Sequence, residues 1–155
     1  MMDMVARMKR PLVIANPPAF DEMFEWAEKE LGIAIPKNLR WLYENVGDGG
    51  FGPGYGLFPL FHNYGAGQGN TIVSQTFEMR EFSADCKYEW NKNYLVICSY
   101  GCAFSSYIDA GIEDLPVFFI DGSEGIIVEP QSESFLSWLE AWLDGKLNPY
   151  GMVLK

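Results

Sequence analysis

The sequence predicts a single α+β domain whose helices pack on a largely antiparallel β-meander. Between residues 94 and 129, short β-branched and aromatic runs follow one another with glycine and acidic residues between them, a spacing typical of antiparallel strands. Amphipathic helical patterns lie before and after these runs. The length of 155 residues and the 48% hydrophobic content suit one domain with one core.

Two amphipathic helices are predicted in the first third of the chain, and we expect them to form a hairpin. The first spans Pro18 to Leu31, and the second runs from Pro36 to Val46, because Pro36 suits a first helical position. Gly47 is expected to end the second helix in the left-handed conformation. The apolar positions are Phe20, Phe24, Ala27 and Leu31 in the first helix and Leu39, Leu42, Tyr43 and Val46 in the second.

A glycine-rich turn follows the second helix and leads into a short apolar strand. The five glycines from Gly49 to Gly56 allow the backbone to turn tightly before a strand expected over Leu57 to Phe61. Asn70 is then expected to cap a middle helix that runs to about Phe82. The apolar positions of this helix are Ile72, Val73, Phe77 and Met79.

Four strands and a last helix complete the predicted fold. The strands are expected at Tyr94–Cys98, Phe104–Asp109, Val117–Asp121 and Ile126–Glu129. The last helix begins at Ser132 or Glu133 and ends at Gly145, since glycine suits the left-handed position after a helix. Its inward-facing residues are expected to be Phe135, Leu139, Trp142 and Leu143.

Residues 35–60 join an amphipathic helix to a glycine-rich turn in an order that is typical of one protein group. The matching residues are Ile35, Pro36, Leu39, Leu42, Asn45, Gly47, Gly49 and Gly50. Further matching blocks are Ser99 to Gly101 with Tyr107 to Asp109, Pro116 to Asp121, and Ser134 to Leu143. Together they resemble the SUKH superfamily, typified by fungal cell-wall assembly regulators of the Smi and Knr type and by bacterial toxin-immunity proteins. We expect a SUKH-like domain over residues 18–155, preceded by a poorly ordered N-terminal arm of residues 1–17.

This resemblance implies a non-catalytic protein-binding domain that works without a cofactor. Its most specific form is an immunity protein that neutralises a cognate toxin, and nucleases with basic clefts are among the toxins that such proteins block. The alternative is a regulatory interaction module for an endogenous partner, as the fungal members suggest. Fold resemblance alone does not choose between these two functions.

Negative charge is concentrated in the second half of the chain. The formal net charge is −10, and residues 94–144 contain nine acidic residues but no lysine or arginine. Such a field repels phosphate, so it argues against direct contact with nucleic acid or with an anionic membrane surface. It favours a basic protein partner, such as a toxin domain, and makes Asp121, Glu124 and Glu129 candidate binding residues. Acids that only keep the domain soluble are an equally open explanation.

Aromatic residues near the glycine turn provide a second candidate surface. Trp41 lies off the apolar stripe of the second helix, so it is expected either at an interface or packed on a second face of the helix. Loop aromatics beside it would complete a recognition rim with nearby acids. The expected rim consists of Trp41, Phe51, Tyr55, Tyr64, Glu44 and Asp48.

Groups suited to catalysis or metal binding are few. His62 is the only histidine and lies in a loop, so a small enzyme that uses the His62 loop is kept only as a remote alternative. Cys98 and Cys102 are four residues apart but would not share a face of a strand, and no second pair completes a zinc site. We therefore expect no catalytic residue, no metal and no cofactor.

The cytoplasm is the expected compartment. No apolar run approaches the roughly 18 residues that span a membrane, and the N-terminus lacks the apolar segment of a signal peptide. The three cysteines, Cys86, Cys98 and Cys102, are an odd number, which fits reduced thiols in a reducing compartment.

Overall fold

A four-stranded antiparallel sheet forms the centre of the fold in the computed structural model, which describes residues 2–8, 15–61 and 70–155. The strands are β1 (Tyr94–Gly101), β2 (Phe104–Asp109), β3 (Val117–Asp121) and β4 (Ile127–Ser132). The helices are α1 (Met2–Met8), α2 (Asp21–Leu31), α3 (Lys37–Asn45), α4 (Ile72–Asp85) and α5 (Phe135–Leu143). Neighbouring strands in the sequence are neighbours in the sheet. The predicted single α+β domain with an antiparallel meander is therefore confirmed.

Helix α2 begins three residues later than predicted. Phe20 is the extended residue before the helix and is 60% exposed, so its assignment to the apolar face is wrong. The three later apolar positions, Phe24, Ala27 and Leu31, are buried as predicted. Arg40 of α3 connects the two helices, because its guanidinium lies 4.4 Å from the centre of the Phe24 ring.

The apolar stripe of α3 is confirmed, but the role predicted for Gly47 is wrong. Leu39, Leu42, Tyr43 and Val46 are all buried. Helix α3 ends at Asn45, and Gly47 is not among the residues with positive φ. Glycine is needed there for space, because a Cβ atom would overlap the carbonyl oxygen of Asn16. The left-handed conformation appears later, at Gly49 and Gly50, with φ values of 70° and 82°.

The prediction of a strand over Leu57 to Phe61 is wrong, because the structure has no strand there. Leu57 forms one isolated bridge with Cys98 of β1, and the Phe58 N–H donates to the Ile97 carbonyl over 2.8 Å. The ladder stops at Pro59, which has no N–H to donate. The next N–H, of Leu60, donates instead to a side-chain oxygen of Asp48 over 2.7 Å. Because the Leu60 N–H bonds to a side chain and not to the backbone of β1, the segment does not continue as a strand.

Helix α4 is capped by Thr71 and not by the predicted Asn70. The Thr71 hydroxyl accepts from the Ser74 N–H over 3.0 Å, and the Ser74 hydroxyl accepts from the Thr71 N–H over 2.9 Å. The predicted inward position of Phe77 is also wrong, because this ring is 38% exposed and Thr76 is buried in its place. The Thr76 hydroxyl accepts from the Val96 N–H over 3.1 Å, so α4 covers part of the edge of β1.

The last helix packs beside β4 through a residue that the sequence reading did not select. Trp138 is fully buried together with Phe135 and Leu139, whereas Trp142 and Leu143 are only partly buried. Phe135 and Trp138 are three residues apart and therefore share one face of the helix. At the other end of α5, Asp144 accepts a hydrogen bond from Arg7 of α1 over 2.5 Å.

Candidate functional site

One face of the sheet carries aromatic rings next to acidic side chains. In the register of β2 and β3, Phe104 is directly opposite Asp121. In the register of β3 and β4, Phe119 is directly opposite Glu129. Directly opposite residues on antiparallel strands project from the same face, about 4.5–5.5 Å apart at Cβ. The meander therefore places two carboxylates beside two phenyl rings.

Three tyrosines extend these two rings into one surface, called here the aromatic patch. The patch consists of Tyr55, Tyr100, Phe104, Phe119 and Tyr150. The Phe104 and Phe119 ring centres are 5.6 Å apart, and the Tyr150 ring lies 5.5 Å from Phe104 and 6.3 Å from Phe119. Tyr55 is 78% exposed and Tyr150 is 46% exposed, whereas the other three rings are half-buried. Exposed apolar side chains that form one contiguous surface often mark a protein interaction site.

Tyr100 is held in the patch by a buried chain of hydrogen bonds. The Ser106 hydroxyl donates to the Gln131 side-chain oxygen over 2.6 Å. The Tyr100 hydroxyl, 2.8 Å from the same serine oxygen, must therefore donate to Ser106, since serine has only one proton. Burial, followed by the nearby Cys98, raises the pKa of Tyr100 far above its ordinary value. The tyrosine stays neutral, and its ring is fixed in position.

Tyr150 reaches the patch because the C-terminal segment is tied to the core. The Tyr150 carbonyl accepts from the Gln131 amide over 2.8 Å, and the Gly151 carbonyl accepts from the buried Trp138 indole over 2.8 Å. Gly151 has a φ of 72°, and a Cβ atom there would overlap the Tyr100 hydroxyl. A glycine is thus required where the C-terminal segment passes over Tyr100.

The glycine-rich turn positions Tyr55 at the patch. Its N–H donates to the Ser99 carbonyl over 3.1 Å, which attaches the turn to the end of β1. A Cβ atom on Gly54 would lie 2.8 Å from the Tyr100 ring, so the turn can approach this ring only with glycine. The Tyr55 hydroxyl in turn lies over Gly101. The turn therefore has a positioning role at this surface in addition to ending the helical region.

Asp121 and Glu129 lie beside the patch, and Glu124 lies in the turn between β3 and β4; we call these three acids the acidic border. One carboxylate oxygen of Asp121 accepts from the Ser123 N–H over 2.9 Å and from the Ser123 hydroxyl over 2.6 Å, which lowers the pKa of Asp121. Glu124 and Glu129 are exposed. Within the described part of the chain, the four ion pairs involve other acids, namely Asp21, Glu44 and Asp144. The acidic border therefore carries uncompensated negative charge.

The predicted rim around Trp41 is not assembled as expected. Asp48 is fully buried, where its carboxylate holds the Leu60 backbone, and Phe51 is only 2% exposed. Neither side chain is available at a rim, which corrects the predicted placement. Glu44 accepts from Arg40 over 2.9 Å, and Trp41 is half-buried against the core. Tyr55, the rim residue with the greatest described exposure, lies over Gly101 and belongs to the aromatic patch instead.

Two predicted residues, Tyr64 and His62, lie outside the described residues. The roles suggested for them, in a rim and in a catalytic loop, stay predictions. Four residues of the patch were missed by sequence reasoning: Tyr100, Phe104, Phe119 and Tyr150. Phe104 and Phe119 lie in predicted strands, but no local pattern indicates that the two rings come together, and Tyr150 lies after the last predicted helix.

The cysteines differ strongly in exposure. Cys98 is fully buried, and burial raises the pKa of its thiol to about 11. Cys86 and Cys102 are exposed. Within residues 2–8, 15–61 and 70–155, no three His, Cys, Asp or Glu side chains form a group that could hold a metal ion. In the same ranges, no helix combines the length and apolar character needed to span a bilayer.

The comparison with known families is decisive for the identity of the fold. The sequence model of the SMI1/KNR4 family (SUKH-1) matches residues 18–141, about four fifths of the chain. The chain belongs to this family. Domains of the SUKH group are generally non-catalytic immunity or regulatory modules, so the match is consistent with a protein-interaction role. A comparison with curated proteins finds no match. The range that matches the SMI1/KNR4 family contains every residue of the aromatic patch except Tyr150.

Proposed function

We propose that the protein is an immunity protein that binds and neutralises a basic toxin through the aromatic patch and the acidic border. The observation that carries this proposal is the strand register, which pairs the half-buried rings Phe104 and Phe119 with Asp121 and Glu129, two acids without an ion pair in the described part of the chain. Tyrosine is among the side chains that most often anchor protein interfaces, and unpaired carboxylates gain a partner when a basic surface approaches.

The charge of the whole domain supports the same partner. A formal net charge of −10 accelerates encounter with a basic protein, and it disfavours nucleic acid as a competing ligand. A nuclease toxin binds phosphate in a basic cleft, so the acidic border would occupy that cleft in place of phosphate. Inhibition would then follow from exclusion of the substrate and would require no chemistry by this protein.

A regulatory module for an endogenous basic protein would use the same surface. Neither the rings nor the carboxylates distinguish a toxin from another basic protein, so the patch supports both functions. The observation that would favour the regulatory role is an isolated gene with no toxin encoded beside it.

Calorimetric titration with the protein encoded by the adjacent upstream reading frame tests the immunity function. We expect tight association that weakens as salt rises from low to high concentration, because the contact includes exposed charges. We also expect the complex to lack the toxic activity of the partner. Absence of binding, or binding without loss of toxicity, would refute the immunity function.

Two matched charge variants test whether the patch is the contact surface. The first replaces the acidic border by Asp121→Asn, Glu124→Gln and Glu129→Gln. The control replaces three exposed acids elsewhere by Glu25→Gln, Glu30→Gln and Glu89→Gln. Both change the formal net charge from −10 to −7.

We expect the border variant to bind about threefold to 150-fold more weakly, since three exposed ion pairs at roughly 0.2–1 kcal/mol each sum to about 0.6–3 kcal/mol and 1.4 kcal/mol corresponds to tenfold. Its affinity should also depend less on salt than that of the unmodified protein. The control should retain most of its affinity. Equal losses in the two variants would show that only the overall charge matters and would rule out the acidic border as the contact surface.

A further inference from the structure

We infer that the aromatic patch accepts an arginine side chain of the partner, whose guanidinium stacks on the rings and bonds to Asp121 or Glu129. This inference rests on the proposed function and specifies the chemistry of the contact. It is carried by the arrangement of rings and carboxylates on one sheet face and not by acidity alone.

The strand register brings both components of such a site within reach of one side chain. Asp121 is opposite Phe104, and Glu129 is opposite Phe119, while the two rings are 5.6 Å apart. A planar cation over these rings would therefore have a carboxylate on two sides. Bidentate pairing with a carboxylate and stacking on a ring are both characteristic of guanidinium.

The rings offer surfaces in two orientations. Phe104 and Phe119 are tilted by only 38° relative to each other, whereas Tyr150 stands at 81° to Phe104. The Tyr150 ring is thus steeply inclined to both phenyl rings, and the patch contains ring planes in two directions. The planar guanidinium group can stack on a ring plane, whereas a tetrahedral ammonium cannot.

The carboxylates are available to a cation. One oxygen of Asp121 is used by Ser123, which orients the group, and the other oxygen makes no hydrogen bond within the described residues. Glu129 is exposed and has no hydrogen bond or ion pair with a described residue. Residues 94–144 contain no lysine or arginine that could supply the cation from the same segment.

Lysine satisfies the charge of this site but not its shape. The ammonium group is strongly hydrated and compact, whereas guanidinium is weakly hydrated and stacks on aromatic faces. Cation–π contacts at exposed sites contribute about 0.5–1 kcal/mol, which corresponds to about a two- to fivefold gain in affinity. A preference for arginine over lysine is therefore the signature that separates this site from a general acidic surface.

The preference can be measured without the toxin. We would titrate the isotope-labelled protein with acetyl-Gly-Arg-Gly-amide and with acetyl-Gly-Lys-Gly-amide at physiological salt and follow aromatic and backbone NMR shifts. We expect the arginine peptide to shift patch resonances and to bind about two- to fivefold more tightly than the lysine peptide. Tyr150→Leu should remove the preference, whereas Phe20→Leu, at an exposed ring outside the patch, should preserve it.

Equal binding of the two peptides, or shifts distributed over acids outside the acidic border, would overturn the arginine site. This holds even where the adjacent protein binds tightly. A selective response at the patch supports the site even where the adjacent protein does not bind, and in that case the toxin assignment fails by itself. The two proposals are therefore tested separately.

Discussion

Replacement of Gly151 by alanine gives the sharpest test of how the patch is built. The substitution introduces two costs. Gly151 has a φ of 72°, and the left-handed conformation costs a residue with a Cβ about 1–2 kcal/mol. In addition, the new Cβ would overlap the Tyr100 hydroxyl and would lie 2.9 Å from the Gln131 amide nitrogen. Displacing these buried groups from their hydrogen bonds should cost a further 1–3 kcal/mol or so.

Gly145→Ala is the matched control. Gly145 has a similar φ of 68°, but a Cβ atom there meets nothing within 4 Å. Gly145→Ala therefore has the cost of the left-handed backbone conformation, but its new Cβ atom overlaps no other group. We expect urea unfolding, followed by circular dichroism, to show Gly151→Ala less stable than Gly145→Ala by about 1–3 kcal/mol. With typical urea slopes of 1–3 kcal/mol per molar, the two midpoints should differ by about 1 M.

The same comparison has a functional result. Because Gly151 carries the Tyr150 backbone over Tyr100, we expect Gly151→Ala to weaken binding of the basic partner, whereas Gly145→Ala should bind normally. Equal stability of the two variants would refute the reasoning, since it would mean that the contact between Gly151, Tyr100 and Gln131 does not constrain the C-terminal segment.

Three further predictions concern the core, a helix cap and the thiols. Asp48→Ala should lower the free energy of unfolding by about 1–3 kcal/mol because the Leu60 N–H loses its buried acceptor. A loss below about 1 kcal/mol, as expected for the surface control Glu44→Ala, would contradict a folding role. Thr71→Ala should cost about 1 kcal/mol of stability by removing the cap of α4, and an unchanged urea midpoint would disprove the cap. Two thiols should react with a maleimide in the native protein at pH 7, whereas Cys98, whose pKa is raised to about 11 by burial, should react only after unfolding. Mass spectrometry counts the labels, and rapid native labelling of Cys98 would contradict its burial.

Local sequence patterns predicted α3, β2 and β3 correctly. The stripe of α3 was predicted correctly because its four apolar residues repeat at helical spacing, and all four are buried. Strands β2 and β3 were predicted with their observed bounds because β-branched and aromatic residues are concentrated in them and turn residues separate them.

Local patterns failed where a distant group decided the outcome. Thr76 replaced Phe77 at the inward position of α4 because a threonine hydroxyl could accept from the edge of β1. The segment after the glycine turn was not a strand because Asp48, twelve residues away, takes the N–H of Leu60. Gly47 leaves space for the Asn16 backbone, which packs against it, and does not end the helix in a left-handed conformation.

The candidate site shows the same division. Charge along the chain was sufficient to select Asp121, Glu124 and Glu129, since a run without lysine or arginine is visible in the sequence alone. The rings beside them were not selected, because their proximity depends on strand register and on the path of the C-terminal segment.

The sequence by itself determined the class of the fold, its family, the positions of the main helices and strands, and the sign of the surface charge. These properties depend on residue type and short-range periodicity, which are readable along the chain. Tertiary structure decided that Tyr55, Phe104, Phe119 and Tyr150 form one surface with the acids, and that Asp48 belongs to the core. The physical reason is that cross-strand pairing, a buried hydrogen-bond chain and the space left by glycines bring together residues separated by up to about a hundred positions, and no local pattern encodes such contacts.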